Sequence, residues 1–177
     1  QAAIGYERLV PEGYVPIGFD HFALPDDSLA IAAAEGKVRR NFQGFTEDQS
    51  DVLIGFGASA ISQFPDSIIQ NEKNPGAYRE IVGAHQLAGT RGLIRDADDQ
   101  LRAQLIEQLL CTGRADATCL LNDPAALASL RQLEERRLII RDGHAIVMTE
   151  AGRPYARVVA ALFDTTLPVM GTGSLAA

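Results

Sequence analysis

Cysteine is scarce in this chain, which has two in 177 residues. Cys111 and Cys119 follow a C-x7-C spacing that matches no common zinc or iron–sulfur motif. Both stand next to leucines, so we interpret them as reduced, buried thiols of a cytoplasmic protein; a disulfide or a reactive thiol is the alternative. The histidines His21, His85 and His144 are scattered, and the sequence therefore predicts no metal site on this chain.

Long apolar runs and an excess of positive charge are also missing. No apolar run approaches the roughly 18 residues that span a bilayer, and the first residues lack the basic and apolar regions of a signal peptide. The net charge of −7 argues against nonspecific nucleic-acid binding and against docking on an anionic membrane. Since the chain does not begin with Met, we expect it to be a fragment of a longer protein.

What is present is a composition that can form a core, 46% hydrophobic, with clear helix and turn signals. Asp27 and Asp123 precede helix-like segments as N-caps. Asp142 and Gly143 lie between two apolar runs, a pattern typical of a β-hairpin. The run Val52-Leu53-Ile54 is predicted as a buried strand, and the stretch 62–74 as extended or irregular.

Asn74-Pro75-Gly76 is the clearest boundary signal in the chain. The order after it, helix, helix, two-stranded wing and helix, indicates a winged-helix-like domain. We therefore predict domains at 1–74 and 75–167, followed by a disordered tail at 168–177.

Three motifs stand out before that boundary. They are DHFA at 20–23 (followed by PDD at 25–27), RNFQGFT at 40–46 and GFGASAIS at 55–62. The third fits the G-x-G-x-x-A spacing of a dinucleotide-binding turn, but Pro65 breaks the chain too soon for the helix that such a turn requires. Its small residues suit either close packing of the backbone or close approach of a ligand.

Together these motifs resemble the later part of the oxygen-independent coproporphyrinogen III oxidases, radical S-adenosylmethionine enzymes of haem synthesis. The resemblance implies an α+β fold: the end of a partial (β/α) radical-SAM barrel, followed by a mainly helical, winged-helix-like C-terminal domain. The family binds a [4Fe-4S] cluster through a C-x3-C-x2-C motif, which this chain does not contain. We therefore expect S-adenosylmethionine and the cluster to bind in the longer parent, and this fragment alone to be inactive and free of cofactor.

The resemblance also nominates cofactor-binding residues. Ile61 aligns with an isoleucine that contacts S-adenosylmethionine in the family, and Phe42 and Gln43 align with residues near such a molecule. The alternatives are an ordinary turn at 41–44 and a purely structural turn at 55–60. For His21 we favour a structural or pocket-lining role over acid–base chemistry, because no nucleophile partner is evident, and we predict no catalytic residue on this chain.

By this resemblance, the parent decarboxylates coproporphyrinogen III oxidatively to protoporphyrinogen IX, as a cytoplasmic monomer that binds neither nucleic acid nor membrane. Self-association of the isolated fragment is left open. One alternative is a related haem chaperone, whose H-N-x2-Y-W and G-P-G-A-H-S blocks this chain lacks. Another is a winged-helix nucleic-acid-binding or interaction module, against which the acidic charge argues. The arginines near the wing are interpreted as a solvated face; they are Arg131, Arg136, Arg137 and Arg141.

Overall fold

A computed structural model describes residues 2–165, so the tail predicted at 168–177 lies outside the described residues. Within 2–165 there are six α-helices and ten short strands. The helices are α1 (Ala2–Leu9), α2 (Ser28–Ala34), α3 (Pro75–Gly83), α4 (Ala97–Thr112), α5 (Pro124–Glu135) and α6 (Ala156–Ala160). The strands are β1 (Val15–Ile17), β2 (His21–Ala23), β3 (Arg39–Arg40), β4 (Phe45–Thr46), β5 (Ile61–Gln63), β6 (Ser67–Asn71), β7 (Gly89–Ile94), β8 (Arg114–Asp116), β9 (Ile139–Asp142) and β10 (Ala145–Met148).

The strands form four small sheets, and every strand pair within residues 2–165 is antiparallel. Helices and strands therefore mix in the α+β manner that the sequence predicts. None of the described helices is long and apolar enough to cross a bilayer.

Three helices begin where a short polar side chain caps them. Asp27, Asn74 and Asp123 each accept hydrogen bonds from backbone N–H groups in the first turn of α2, α3 and α5. Pro75 and Pro124 follow two of these caps at the first helical position, where the missing N–H is not needed. The starts of α2 and α5 confirm the predicted caps Asp27 and Asp123, whereas the sequence predicts a domain boundary at Asn74 and not a cap.

The chain divides into two compact units. The first combines the residues up to Asp48 with those from Arg102 onward, and the second is Gln49–Leu101. The predicted boundary at Asn74 lies inside the second unit, where Asn74 caps α3. The assignment of 1–74 and 75–167 to separate domains of a longer protein stays a prediction.

The first unit contains the helix, strand, helix and hairpin order of a winged helix. Strand β10 lies between β8 and β9, with α4 and α5 preceding the hairpin. The largest side chains that are under 2% exposed in this core come from helices and strands alike: Leu109, Leu120, Leu130, Ile139, Ile146, Val159 and Phe163. A smaller apolar cluster lies under the β1–β2 hairpin and α2, and Phe45 packs against both clusters.

The second unit has little buried apolar surface of its own. Its sheet has the order β5-β6-β7, and all six residues of β7 are exposed. Phe56, Leu87 and Ile94 are 87%, 97% and 83% exposed. Ser62 and Ala88 are the buried residues of this unit. Backbone hydrogen bonds and turns, rather than an apolar core, hold it together.

One expectation from the sequence is wrong in this unit. The predicted buried strand at 52–54 is an exposed segment in which Leu53 makes one isolated bridge to Gln63, and Val52 and Ile54 are exposed. The stretch 62–74, predicted as extended or irregular, is largely extended, since it contains most of β5 and all of β6. An apolar run indicates burial only where another element covers it, and no such cover lies within this unit.

Gly152, just after β10, lies against the backbone of Leu138. A Cβ at this position would collide with the Leu138 carbonyl, although the φ of −79° is open to any residue. We expect Gly152→Ala to lower the free energy of unfolding by about 2 kcal/mol, because backbone cannot move aside as a side chain can. Chemical denaturation of the 177-residue chain measures this.

Gly83→Ala is the matched control for that substitution. Gly83 lies at the end of α3, and a Cβ added there would meet no atom within 4 Å, so alanine should be neutral or stabilising by up to about 1 kcal/mol. Equal unfolding midpoints for the two variants would contradict the close contact at Gly152.

Candidate functional site

The predicted residues Phe42 and Gln43 lie at the tip of the turn that joins β3 to β4. The Asn41 N–H donates to the Gly44 carbonyl at 3.0 Å, which closes the turn. The Asn41 side-chain oxygen accepts from the Gln43 and Gly44 N–H groups at 2.8 and 3.2 Å. With the backbone held in this way, the Phe42 ring, 51% exposed, and the Gln43 amide project from a preformed turn.

Glu107 on α4 anchors this turn from one side. One carboxylate oxygen of Glu107 accepts from the Arg39 Nε at 2.8 Å and from the Arg40 N–H at 2.9 Å. Both bonds involve a charged group and are partly buried, so they are stronger than neutral ones. Sequence reasoning missed Glu107, because its partners are 67 and 68 residues away and nothing local marks it.

The DHFA and RNFQGFT motifs meet around Phe45. The Phe45 ring lies edge-on to Phe19 and to His21, with ring centroids 5.6 and 5.1 Å apart. It covers Gly18, whose φ of +58° and lack of space for a Cβ suit glycine alone. His21 thus lines the same surface as the turn, and its structural or pocket-lining role stays a prediction.

Asp20 links the α6 helix to the aromatic cluster of Phe19, His21 and Phe45. Its carboxylate lies 2.7 Å from the His21 Nδ1 and 3.5 Å from an Arg157 Nη atom. The Arg157 guanidinium also lies over the Phe19 ring, 5.1 Å from its centroid. The sequence offers no sign that Arg157 belongs here, since it is more than a hundred residues from Asp20.

The GFGASA turn in the second unit is closed by side chains from β6 and α3. The Asn71 amide donates to the Gly55 and Gly57 carbonyls at 3.2 and 3.0 Å, and the Tyr78 hydroxyl accepts from the Gly57 N–H at 3.1 Å. The buried Ser62 hydroxyl accepts from the Gly55 N–H at 3.1 Å. These bonds leave a rigid turn whose most exposed side chain is Phe56.

Ile61 opens β5 directly after this turn. It is half-buried and pairs with Gln70 of β6, and a Cβ on Gly55 would press on its backbone. The turn leads into a strand and not into a helix, so the dinucleotide-binding alternative does not fit it. Phe42 and Gln43 thus share one turn of the first unit, whereas Ile61 belongs to the second unit.

The cysteines are free thiols, and neither is fully exposed. Burial, and next the charge of Glu107, raises the pKa of Cys111 to about 12. Across residues 2–165 no group of three or more histidine, cysteine or acidic side chains is placed to hold a metal ion. The described part of the chain therefore offers no ligand set for an iron–sulfur cluster.

A curated protein of Bradyrhizobium diazoefficiens named oxygen-independent coproporphyrinogen III oxidase is 42% identical over 175 residues, 94% of this chain and 39% of that protein. This chain is related to the oxygen-independent coproporphyrinogen III oxidases. The Pseudomonas aeruginosa and Escherichia coli proteins of that name are 39% and 36% identical and are covered to 37% each. The chain thus spans about two fifths of the length of these relatives. No protein-family model matches it.

A solved structure described as "Coproporphyrinogen III oxidase (HemN) from Escherichia coli is a Radical SAM enzyme" matches with a TM-score of 0.83 and 36% identity. The match covers 93% of this chain and 40% of the solved one, in a C-terminal part. The predicted resemblance and the α+β fold class are therefore confirmed. The roles of Phe42, Gln43 and Ile61 stay predictions.

Removing the Glu107 carboxylate should loosen the turn at 41–44. We expect Glu107→Ala to speed amide hydrogen exchange at Arg40 and Gly44 about tenfold or more, because a charged acceptor contributes roughly 1.5–3 kcal/mol. Glu135→Ala, an exposed acidic residue at the end of α5, is the control and should change nothing there. Equal exchange in both variants would show that Glu107 does not hold the turn.

Cys111 should react slowly with thiol reagents. A pKa of about 12 against the ordinary value of 9.0 leaves about a thousandfold less thiolate at pH 8, and the thiolate is the reactive form. Alkylation of a Cys119→Ser variant, followed by mass spectrometry, isolates Cys111. The rate should rise with pH well beyond 9 and approach that of a free thiol in denaturant; fast native alkylation at pH 8 would refute the burial of this thiol.

Proposed function

We propose that this chain is the C-terminal part of a longer oxygen-independent coproporphyrinogen III oxidase. Such an enzyme converts propionate side chains of coproporphyrinogen III to vinyl groups with loss of carbon dioxide. The identity of 42% over 94% of the chain carries this proposal. The haem-chaperone alternative is not favoured, because the relatives are named oxidases.

We further propose that Phe42 and Gln43 of the first unit and, separately, Ile61 of the second unit contact S-adenosylmethionine in the longer enzyme. When bound, this cofactor supplies the species that removes hydrogen from the substrate. The exposed Phe42 ring offers an apolar face, the Gln43 amide offers both a donor and acceptors, and Ile61 adds an aliphatic contact. Apolar surface with a few polar groups suits an adenine and ribose ligand.

The residues of this chain do not fit the iron–sulfur cluster. Two separated cysteines, of which Cys111 has a raised pKa, cannot replace a set of thiolate ligands. We therefore assign the cluster to other residues of the longer protein. To this chain we assign the binding and orientation of S-adenosylmethionine and the covering of its site.

We also propose that this enzyme is a cytoplasmic monomer that binds neither nucleic acid nor membrane. Two arginines on and near the wing are already neutralised: Arg114 pairs with Asp142 at 2.8 Å and Arg141 with Glu134 at 3.1 Å. The net charge of −7 also does not favour binding to phosphates.

An anaerobic assay of the reconstituted longer protein tests the activity. We expect release of carbon dioxide from coproporphyrinogen III that depends on S-adenosylmethionine, and no turnover by the 177-residue chain alone. A full-length protein with bound cluster and cofactor but no decarboxylation would overturn the proposed function.

Substitution tests the cofactor contacts separately. We expect Gln43→Ala and Ile61→Ala each to weaken S-adenosylmethionine binding to the longer protein about tenfold, equivalent to about 1.4 kcal/mol. Gln132→Ala, an exposed amide on α5, is the matched control and should bind as the wild type does. Equilibrium dialysis with labelled cofactor measures this; unchanged binding in both site variants would remove these residues from the site.

A further inference from the structure

Cationic side chains gather on an aromatic platform in the first unit. The platform consists of Phe19, 5% exposed, and the partly buried Phe45. The Arg40 guanidinium carbon lies 5.8 Å from the centroid of each ring, and that of Arg157 lies 5.1 Å from Phe19. Both guanidinium groups therefore make cation–π contacts with this platform.

The ion pairs around this platform leave the Arg40 guanidinium out. Asp20 is shared between His21 and Arg157. Glu107 accepts from the Arg39 Nε and from the main chain of Arg40. No carboxylate within residues 2–165 forms an ion pair with the Arg40 guanidinium.

Arg40 also keeps a hydrogen-bond donor unused. Its Nε is buried and has no partner in the described part of the chain. An unpaired buried donor on a charged group costs free energy, and native proteins rarely retain one without a use. The guanidinium of Arg40 therefore has hydrogen-bonding capacity that the described residues do not satisfy.

We propose that Arg40, with Arg157 and His21, forms a carboxylate-binding subsite for a propionate side chain of the tetrapyrrole substrate, an inference that rests on the proposed function. Guanidinium groups bind carboxylates through paired N–H donors. The short aliphatic stem of a propionate suits the adjoining aromatic surface, with the exposed Phe42 ring two residues beyond Arg40.

Charge favours the substrate over the cofactor as the source of the carboxylate. S-adenosylmethionine carries a sulfonium and an ammonium group beside its carboxylate, and an excess of arginine charge repels these cations. A porphyrinogen with propionate side chains carries negative charge alone. The unpaired Arg40 therefore points to substrate binding, and loss of cofactor affinity is the competing outcome of the test.

Kinetics of the reconstituted longer enzyme test the subsite. We expect Arg40→Gln to raise the KM for coproporphyrinogen III about tenfold or more, and the exposed Arg157→Gln to raise it about twofold to fivefold. In both variants kcat should change less than KM, and S-adenosylmethionine binding should stay unchanged. Arg131→Gln, an exposed arginine on α5, is the matched control.

A ligand comparison separates carboxylate recognition from a structural effect. Coproporphyrin III, as a competing ligand, should bind Arg40→Gln about tenfold more weakly than the wild type. Its methyl ester should bind both enzymes equally, because it has no charge for Arg40 to recognise. Arg40→Lys, which keeps the charge but loses the forked donors, should restore part of the affinity for the free acid.

Three results would count against the subsite. A KM within twofold of the Arg131→Gln value for both variants would overturn it, and so would an equal loss of affinity for acid and ester. Weaker cofactor binding with an unchanged KM would assign the arginines to S-adenosylmethionine instead. If Arg40→Gln does not fold, the KM and ligand affinities of Arg40→Lys and Arg157→Gln test the subsite instead. An inactive wild-type enzyme that still binds coproporphyrin III through Arg40 would refute the proposed function but not the subsite.

Discussion

The Phe45 ring packed over Gly18 is the contact on which the first unit depends. Gly18 has a positive φ and no space for a Cβ, so the ring can lie directly on the backbone. Phe45 packs against both apolar clusters of this unit. It also begins β4, directly after the turn that presents Phe42 and Gln43. One aromatic contact thus joins the core to the surface on which the proposed ligands would bind.

The segments that carry the candidate site residues are held by different interactions. Glu107 holds β3 through hydrogen bonds to a carboxylate, each contributing roughly 1.5–3 kcal/mol, whereas Asn71 and Tyr78 hold the GFGASA turn through neutral bonds of roughly half that strength. Preformed segments of this kind lower the entropy that a ligand must overcome on binding. The second unit owes its order to these bonds, because almost none of its apolar side chains is buried.

Features that depend on neighbouring residues were predictable from the sequence. The caps Asp27 and Asp123 and the hairpin at Gly143 depend on residues within a few positions, and the structure has all of them. Strand β7 was not predictable, because its sequence GTRGLI lacks apolar alternation and its pairing with β6 joins distant segments. For the site, resemblance nominated Phe42, Gln43 and Ile61, whereas Glu107 and Arg157 became visible only as contacts across the fold.

The sequence by itself determined the family, the α+β class and the starts of several helices, because motifs and helix caps consist of residues that are close together in the chain. Only the tertiary structure decided which charges are compensated. Whether the Arg40 guanidinium has a carboxylate partner depends on where α4 places Glu107. The position of α6 decides whether a second guanidinium, that of Arg157, lies on the same platform. Packing of the whole unit determines both positions. The interaction energy of two charges depends on the distance between them in space, and their separation along the chain does not give that distance.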